Sequence, residues 1–270
     1  MLAFDIETGP LPDERLKELL PQFVADDHVK PVGEFDESAV KIGGLKDQAK
    51  IDSKINTARA AHRTALLNYS SDVKAARLAH FDNFKSKAAL SPLTGEVLAI
   101  GYGNPGKTGR EIRIDVVGET HPGLVDGVKM SESLDDEASL LSRFWLRFLD
   151  ASGESTVGFN ILGFDLPFLV RRSWVNGIDV PATVKEGRYW HRLFVDLLEV
   201  WQCGQRGNPP VLDNKLNTIC QALGIEGKPD DGTTGADFAR LLTEDRERAI
   251  SYLAGDVRMT LDLAEVLQVL

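Results

Sequence analysis

The chain has 270 residues, 43% hydrophobic and 27% charged, with a formal net charge of −10. This is an ordinary globular composition, with length enough for one sizeable core and room for an insertion. No apolar run approaches the length needed to span a bilayer, and the opening MLAFDIETGP lacks a signal peptide's basic flank and long apolar stretch, so no membrane partner is expected and a cytoplasmic location is. Cys203 and Cys220, 17 positions apart with no CxxC, read as reduced thiols rather than a disulfide or a zinc site.

MLAFDIE reads as a first strand and LPDERLKELL as a short amphipathic helix closed by Pro21. Residues 22–45 are irregular. From Lys46 to about Lys87 there is no Gly or Pro, and Ile51, Ile55, Ala58, Ala65, Tyr69, Val73, Ala76 and Phe84 recur at threes and fours. That predicts one long helix, or two meeting near Ser70-Ser71-Asp72, where a second start could be capped. A β-hairpin is predicted over about 96–117, an amphipathic helix over 134–151 with acids in its first turn, a short strand at STVGFN, and a helix at DLPFLVRRSWVNG that ends on Gly177. RLFVDLLEVW (192–201) reads as a strand running into a helix, and further helices are expected over 213–223, 235–242 and 244–268. Strands interleaved with helices predict an α/β sheet covered on both faces. No internal repeat is apparent. The whole of 1–270 is read as one domain, with 22–92 as a helical, basic insertion within it.

GYGNPGKT (101–108) matches the phosphate-binding pattern G-x-x-x-x-G-K-T. That pattern works only where a helix begins after the loop, so that its first N–H groups meet the phosphates. Here Ile112, Ile114 and Val116 alternate with Arg113 and Asp115, a strand signature, and Asn104-Pro105-Gly106 is turn chemistry. The match is read as the tip of a hairpin, and an ATPase is the weaker reading.

Charge is unevenly placed. Residues 41–87 hold ten Lys and Arg against four Asp, a local excess of +6 that leaves −16 elsewhere. A basic segment within an acidic chain is a candidate contact for a polyanion; a solvated helical hairpin or a surface for a protein partner is the alternative.

Three carboxylate clusters stand out. In FDIET, Asp5 and Glu7 leave the same face of a strand, an arrangement that suits hard divalent cations or, more plainly, a solvated edge-strand end. In GFNILGFDLPFL, Asp165 is either a helix N-cap or a ligand placed just beyond a strand that Asn160 closes. In YLAGD, Tyr252 and Asp256 are i and i+4 on the last helix, flanking a stripe of Ile250, Leu253, Val257, Leu261 and Ala264.

Taken in order, FDIET, N-x-x-x-F-D (160–165) and Y-x-x-x-D (252–256) resemble the three motifs of the DEDD superfamily of 3′–5′ exonucleases. The tyrosine places the resemblance in the DEDDy branch, since the His of the DEDDh branch would stand at 251, which is Ser. The chain is most similar to the proofreading exonuclease domain of family B DNA polymerases, over about 1–10 and 93–270; the insertion departs from that pattern. The resemblance implies a ribonuclease H-like fold: a mixed β-sheet flanked by helices on both faces, here with a helical insertion between the first and second strands.

It further implies catalytic residues Asp5, Glu7, Asp165, Tyr252 and Asp256, the four acids holding two divalent ions, Mg²⁺ or Mn²⁺. Thr8, Asn160 and Phe164 are implied as contacts of the terminal nucleotide, although Phe164 could equally be core. The expected activity is a free-standing 3′–5′ exonuclease acting on DNA 3′ ends, single strands favoured, releasing nucleoside 5′-monophosphates. A DNA polymerase or other replication protein is an expected partner. An exoribonuclease is a near neighbour that sequence does not separate, and a non-catalytic nucleic-acid-binding module on the same fold is the reading from another class.

Overall fold

The computed structural model describes residues 2–106, 109–118, 124–125, 128–130, 134–151, 155–185, 193–204, 213–228 and 232–269. The chain divides into two compact units, one of Met1–Leu11 with Ala88–Leu270 and one of Pro12–Lys87.

The first unit is built on a seven-stranded sheet among the described residues. Its strands are β1 (Leu2–Pro10), β2 (Gly95–Gly106), β3 (Gly109–Val116), β4 (Leu124–Val125), β5 (Val128–Met130), β6 (Thr156–Gly158) and β7 (Phe194–Asp196), in the order β4-β5-β3-β2-β1-β6-β7. β1 is therefore central, antiparallel to β2 and parallel to β6, and Asp5 and Glu7 do not sit on an edge strand. β2 and β3 form the expected hairpin, with Gly106 paired to Gly109. Lys107 and Thr108 lie outside the described residues. The chain leaves the hairpin tip as strand β3, where a phosphate loop would require a helix, and the ATPase reading falls. Sequence patterning missed β4 and β5, which are two and three residues long, too short for periodicity to register.

Helices cover both faces. On one lie α3 (Glu137–Asp150) and α4 (Asp165–Val175), packed on Phe4, Ile6, Ile100 and Tyr102. The short α5 (Ala182–Lys185) follows α4. On the other lie α6 (Leu197–Gln202), α7 (Leu216–Ala222), α8 (Phe238–Glu244) and α9 (Arg246–Val266), over Ala3, Ala99, Ile112 and Ile114. The predicted stripe of α9 is buried throughout. Two glycines on β2 set how close α9 lies: a Cβ at Gly101 would stand 2.6 Å from Val257, and one at Gly103 2.7 Å from Leu261. Only glycine admits that approach.

One buried ion pair ties α3, α4 and β2 together. Glu137 accepts from the Val97 N–H at 2.7 Å, from Arg172 Nη2 at 2.6 Å and from Asn176 Nδ2 at 2.8 Å, and Arg172 Nη1 donates to the Pro92 carbonyl at 3.0 Å. Both partners are nearly sealed from solvent. The first-turn acid expected to serve the helix dipole is thus a buried anchor, while Asp136 caps α3 by accepting from the Ser139 N–H.

The second unit consists of α1 (Asp13–Leu19), an irregular strap with short 3-10 turns at Ala25–Asp27 and Glu37–Ala39, and α2 (Gln48–Lys85). α2 is one uninterrupted helix of 38 residues, without a second start at 70–72, and none of its side chains is fully buried. It contains a short internal repeat that sequence inspection overlooked: Ala58-Arg59-Ala60-Ala61-His62 and Ala76-Arg77-Leu78-Ala79-His80, 18 residues apart. That is about five helical turns, so both copies face one way. Each copy clasps the strap alike. His62 Nε2 donates to the Gly33 carbonyl at 2.8 Å and His80 Nε2 to the Pro21 carbonyl at 2.9 Å. Two residues beyond each carbonyl a phenylalanine ring, Phe35 or Phe23, packs on the histidine and under Arg59 or Arg77. The repeat escapes inspection because it lies in an alanine-rich run and its strap halves are spaced differently from its helix halves.

Replacing Glu137 with Ala strands the Arg172 charge in the interior and should cost about 3–5 kcal/mol. Adding Arg172→Met should recover most of that loss. Denaturant midpoints of the two variants and the parent check both statements; a Glu137→Ala variant as stable as the parent would show that the pair does not hold α3 to α4.

Candidate active site

β1 runs beside β6 only as far as Leu2–Thr156 and Ala3–Val157. β6 then ends at Gly158, leaving the next backbone donors on that side of β1 without a strand to bond. Asp165 fills the gap: its Oδ1 accepts the Ile6 N–H at 3.1 Å. Asp165 is therefore not the N-cap of α4; Phe164 stands at that position and makes no side-chain cap bond.

The turn that delivers Asp165 is held by a residue outside the sequence motifs. Asp196, at the end of β7, accepts the N–H groups of Asn160 (2.8 Å), Leu162 (2.9 Å) and Leu198 (3.0 Å). Asn160 takes a left-handed backbone, φ 58°, two residues past the end of β6, and its side chain folds over Gly163, where a Cβ would stand 2.4 Å from Asn160 Oδ1. A signal for Asp196 existed: in FVDLLEV it sits where a strand changes into a helix, an N-cap position.

The opposite face of β1 presents Asp5 and Glu7 toward α9. Asp5, Glu7 and Asp256 each offer a carboxylate oxygen, and these oxygens lie within 4.8 Å of one another. Asp165 stands outside that set, yet after burial its charge is the largest push on Asp5. All four carboxyls are held above the ordinary carboxylate range. Burial is the leading cause for each; Asp165, Asp256 and Glu7 add to it for Asp5, and Asp256 adds to it for Glu7. Asp165 is pushed up to about 7 by burial, against the pull of the Ile6 N–H.

A cation does reach the cluster. Lys228 Nζ donates to Asp256 Oδ2 and lies 3.0 Å from the centroid of the Tyr252 ring. Its positive charge opposes the rise at Asp5, Glu7 and Asp256. No sequence pattern pointed to it: it is a lone lysine in the connection after α7, 28 residues before its partner. Tyr252 itself is half-buried, and burial, then Asp256 and Glu7, raise its hydroxyl far above the usual phenol range, so it stays protonated and can donate.

The three residues expected at the terminal nucleotide fare differently. The Thr8 hydroxyl donates to the Ala89 carbonyl at 2.8 Å, just after a bulge between Glu7 and Thr8, which leaves only its oxygen to accept. Asn160 is exposed. Phe164 is half-buried with its ring 5.4 Å from that of Phe168, so one side is core and part of the ring remains open.

Unfolded, these carboxyls ionise near pH 4. Folded, Asp165 keeps its proton up to about 7. The folded state thus binds more protons across that window, and stability falls as pH rises through it. The melting temperature in EDTA should therefore drop between about pH 4 and 7, less steeply in Asp165→Asn, and Mn²⁺ should restore it at neutral pH. Identical pH profiles for parent and variant would show that Asp165 does not carry the effect.

The fold and these motifs have counterparts. No curated protein matches the sequence. Among solved structures, the family B DNA polymerase of the hyperthermophilic archaeon Pyrobaculum calidifontis is similar, with a TM-score of 0.50 and 19% identity over 68% of this chain. The match spans 23% of the polymerase, and it shows a shared ribonuclease H-like α/β fold. The model of one family, described as a predicted 3′–5′ exonuclease related to the exonuclease domain of PolB, matches residues 104–262, a stretch that includes Asn160, Asp165, Tyr252 and Asp256. Asp5 and Glu7 precede that match, and the sheet brings them to it. The chain belongs to this family of predicted 3′–5′ exonucleases.

Proposed function

We propose that the chain hydrolyses the 3′-terminal phosphodiester of DNA, single-stranded ends favoured, by a two-metal reaction of the DEDDy type that releases nucleoside 5′-monophosphates. The observation that carries this reading is the convergence of Asp5, Glu7 and Asp256 within 4.8 Å, with Asp165 beside them. The donor set is all oxygen, which suits Mg²⁺ or Mn²⁺ rather than a softer ion. Its acids repel one another in a buried place, and divalent charge relieves that repulsion.

Two bound ions would supply an activated water and neutralise charge on the phosphoryl oxygens. Asp5, which feels the charge of the other three acids, would help to hold both, with Glu7 and Asp256 completing one position and Asp165 the other. The Tyr252 hydroxyl would orient the attacking water. Lys228, bonded to Asp256 and lying on the Tyr252 ring, fixes both side chains. Asn160 and the open part of Phe164 contact the terminal sugar and base, and Thr8 offers its oxygen. A DNA polymerase or other replication protein is a fitting partner for an activity that trims 3′ ends.

The test is digestion of labelled DNA and RNA strands with Mg²⁺, Mn²⁺ or EDTA. Expected are stepwise shortening from the 3′ end of single-stranded DNA, none in EDTA, and loss to background in Asp5→Asn and Asp256→Asn while both stay folded. Equal turnover by either variant would place the chemistry elsewhere. Faster RNA turnover would make the enzyme an exoribonuclease, and no turnover on any strand would leave a binding module.

A further inference from the structure

Contacts within the second unit engage part of the positive charge that made residues 41–87 look like a polyanion contact. Arg59 pairs with Glu37 at 2.7 Å, Lys54 donates to the Lys41 carbonyl at 3.2 Å, and Lys85 pairs with Asp13 at 2.6 Å. Lys54 and Arg59 hold the strap and Lys85 holds α1. Arg63 and Lys74 do not: both are exposed, and neither has a carboxylate or carbonyl partner among the described residues. Each is followed four residues on by a bare leucine, Leu67 at 73% and Leu78 at 79% exposure. The two cation–leucine pairs are 11 residues apart, close to three turns, so all four side chains share one face of α2, beside the ridge of Arg59 and Arg77 and away from the clasp histidines. Between Ser53 and Phe81 the sole acid is Asp72, which helical geometry puts on the other flank.

We propose that this stripe binds a single-stranded nucleic acid, with Arg63 and Lys74 on successive reaches of the phosphate backbone and Leu67 and Leu78 beneath unstacked bases. Charge complementarity selects the ligand. In a chain of net charge −10, unneutralised cations on an acid-free face draw a polyanion that the remaining surface repels. The leucines select the single strand, because a duplex backbone needs only charge, whereas splayed bases present apolar faces to cover. The inference adds a second contact for the substrate class of the proposed function, and its test needs no cleavage.

Binding of fluorescent oligo(dT) to the full chain in EDTA is measured across a salt series for the parent, for Arg63→Gln/Lys74→Gln and for a control of equal charge change, Lys30→Gln/Arg171→Gln. The stripe variant should bind more weakly, with the log–log salt slope reduced by about 1.4, two single-strand phosphate contacts at about 0.7 each. The control should keep the parent slope. Leu67→Ser/Leu78→Ser should weaken binding at an unchanged slope and leave duplex binding alone. Cleavage of a trinucleotide, too short to follow three turns of α2, should be the same in the stripe variant and the parent. No measurable oligo(dT) binding by the parent, an unchanged slope in the stripe variant, or an equal change in the control overturns the proposal. If the parent cleaves nothing but the slope falls as expected, the stripe stands and the nuclease reading fails.

Discussion

Burial of Asp5, Glu7, Asp165 and Asp256 side by side is the constraint on which the first unit turns. Scarcity of water first, and repulsion from neighbouring acids at Asp5, Glu7 and Asp165 second, hold these carboxyls above the ordinary carboxylate range, and burial alone raises Asp256. A folded chain holds such a cluster only if the backbone beneath it is overdetermined. Here two acids come from one central strand, the third closes a gap in that strand's ladder, and the fourth rides a helix seated on glycines. The strand and helix packing under Asp5, Glu7 and Asp256 does not depend on the cluster's own charge, whereas Asp165 uses its own carboxylate to bond the Ile6 N–H.

That security is distributed. The Glu137–Arg172 pair clamps α3 to α4 and to the start of β2, so the helix that begins at Asp165 cannot drift from the sheet. Asp196 gathers three backbone donors and fixes the turn that carries Asn160 and Asp165. Gly101 and Gly103 let α9 settle against β2, which brings Asp256 to Asp5 and Glu7. Lys228 then offsets part of the accumulated negative charge from one side.

The second unit obeys a different logic. Its long helix buries nothing fully, so it cannot rest on an apolar core. Two equivalent clasps, each a histidine bonded to a carbonyl with an arginine over a phenylalanine, hold a strap along one face instead. Arg59 and Lys85 pair with acids of the same unit, while Arg63 and Lys74 on the neighbouring positions of α2 stay exposed with no carboxylate partner among the described residues.

The sequence by itself determined the local elements and the identity of the acids. Periodicity placed β1, the hairpin, α2, α3, α4 and α9, because hydrophobic spacing reports which face of an element is covered. The motifs of Asp5, Glu7, Asp165, Tyr252 and Asp256 were legible because their spacings are short and tied to one element each. Tertiary structure decided what spacing does not carry. β1 is central rather than an edge, since strand order depends on pairing between distant segments. Asp165 bonds Ile6 rather than capping its own helix, and Lys228 reaches Asp256 from a patternless loop. The clasped side of α2 took up Lys54 and Arg59 while leaving Arg63 and Lys74 exposed. In every case the deciding partner lies far away in sequence or on another element, and local pattern holds no record of it.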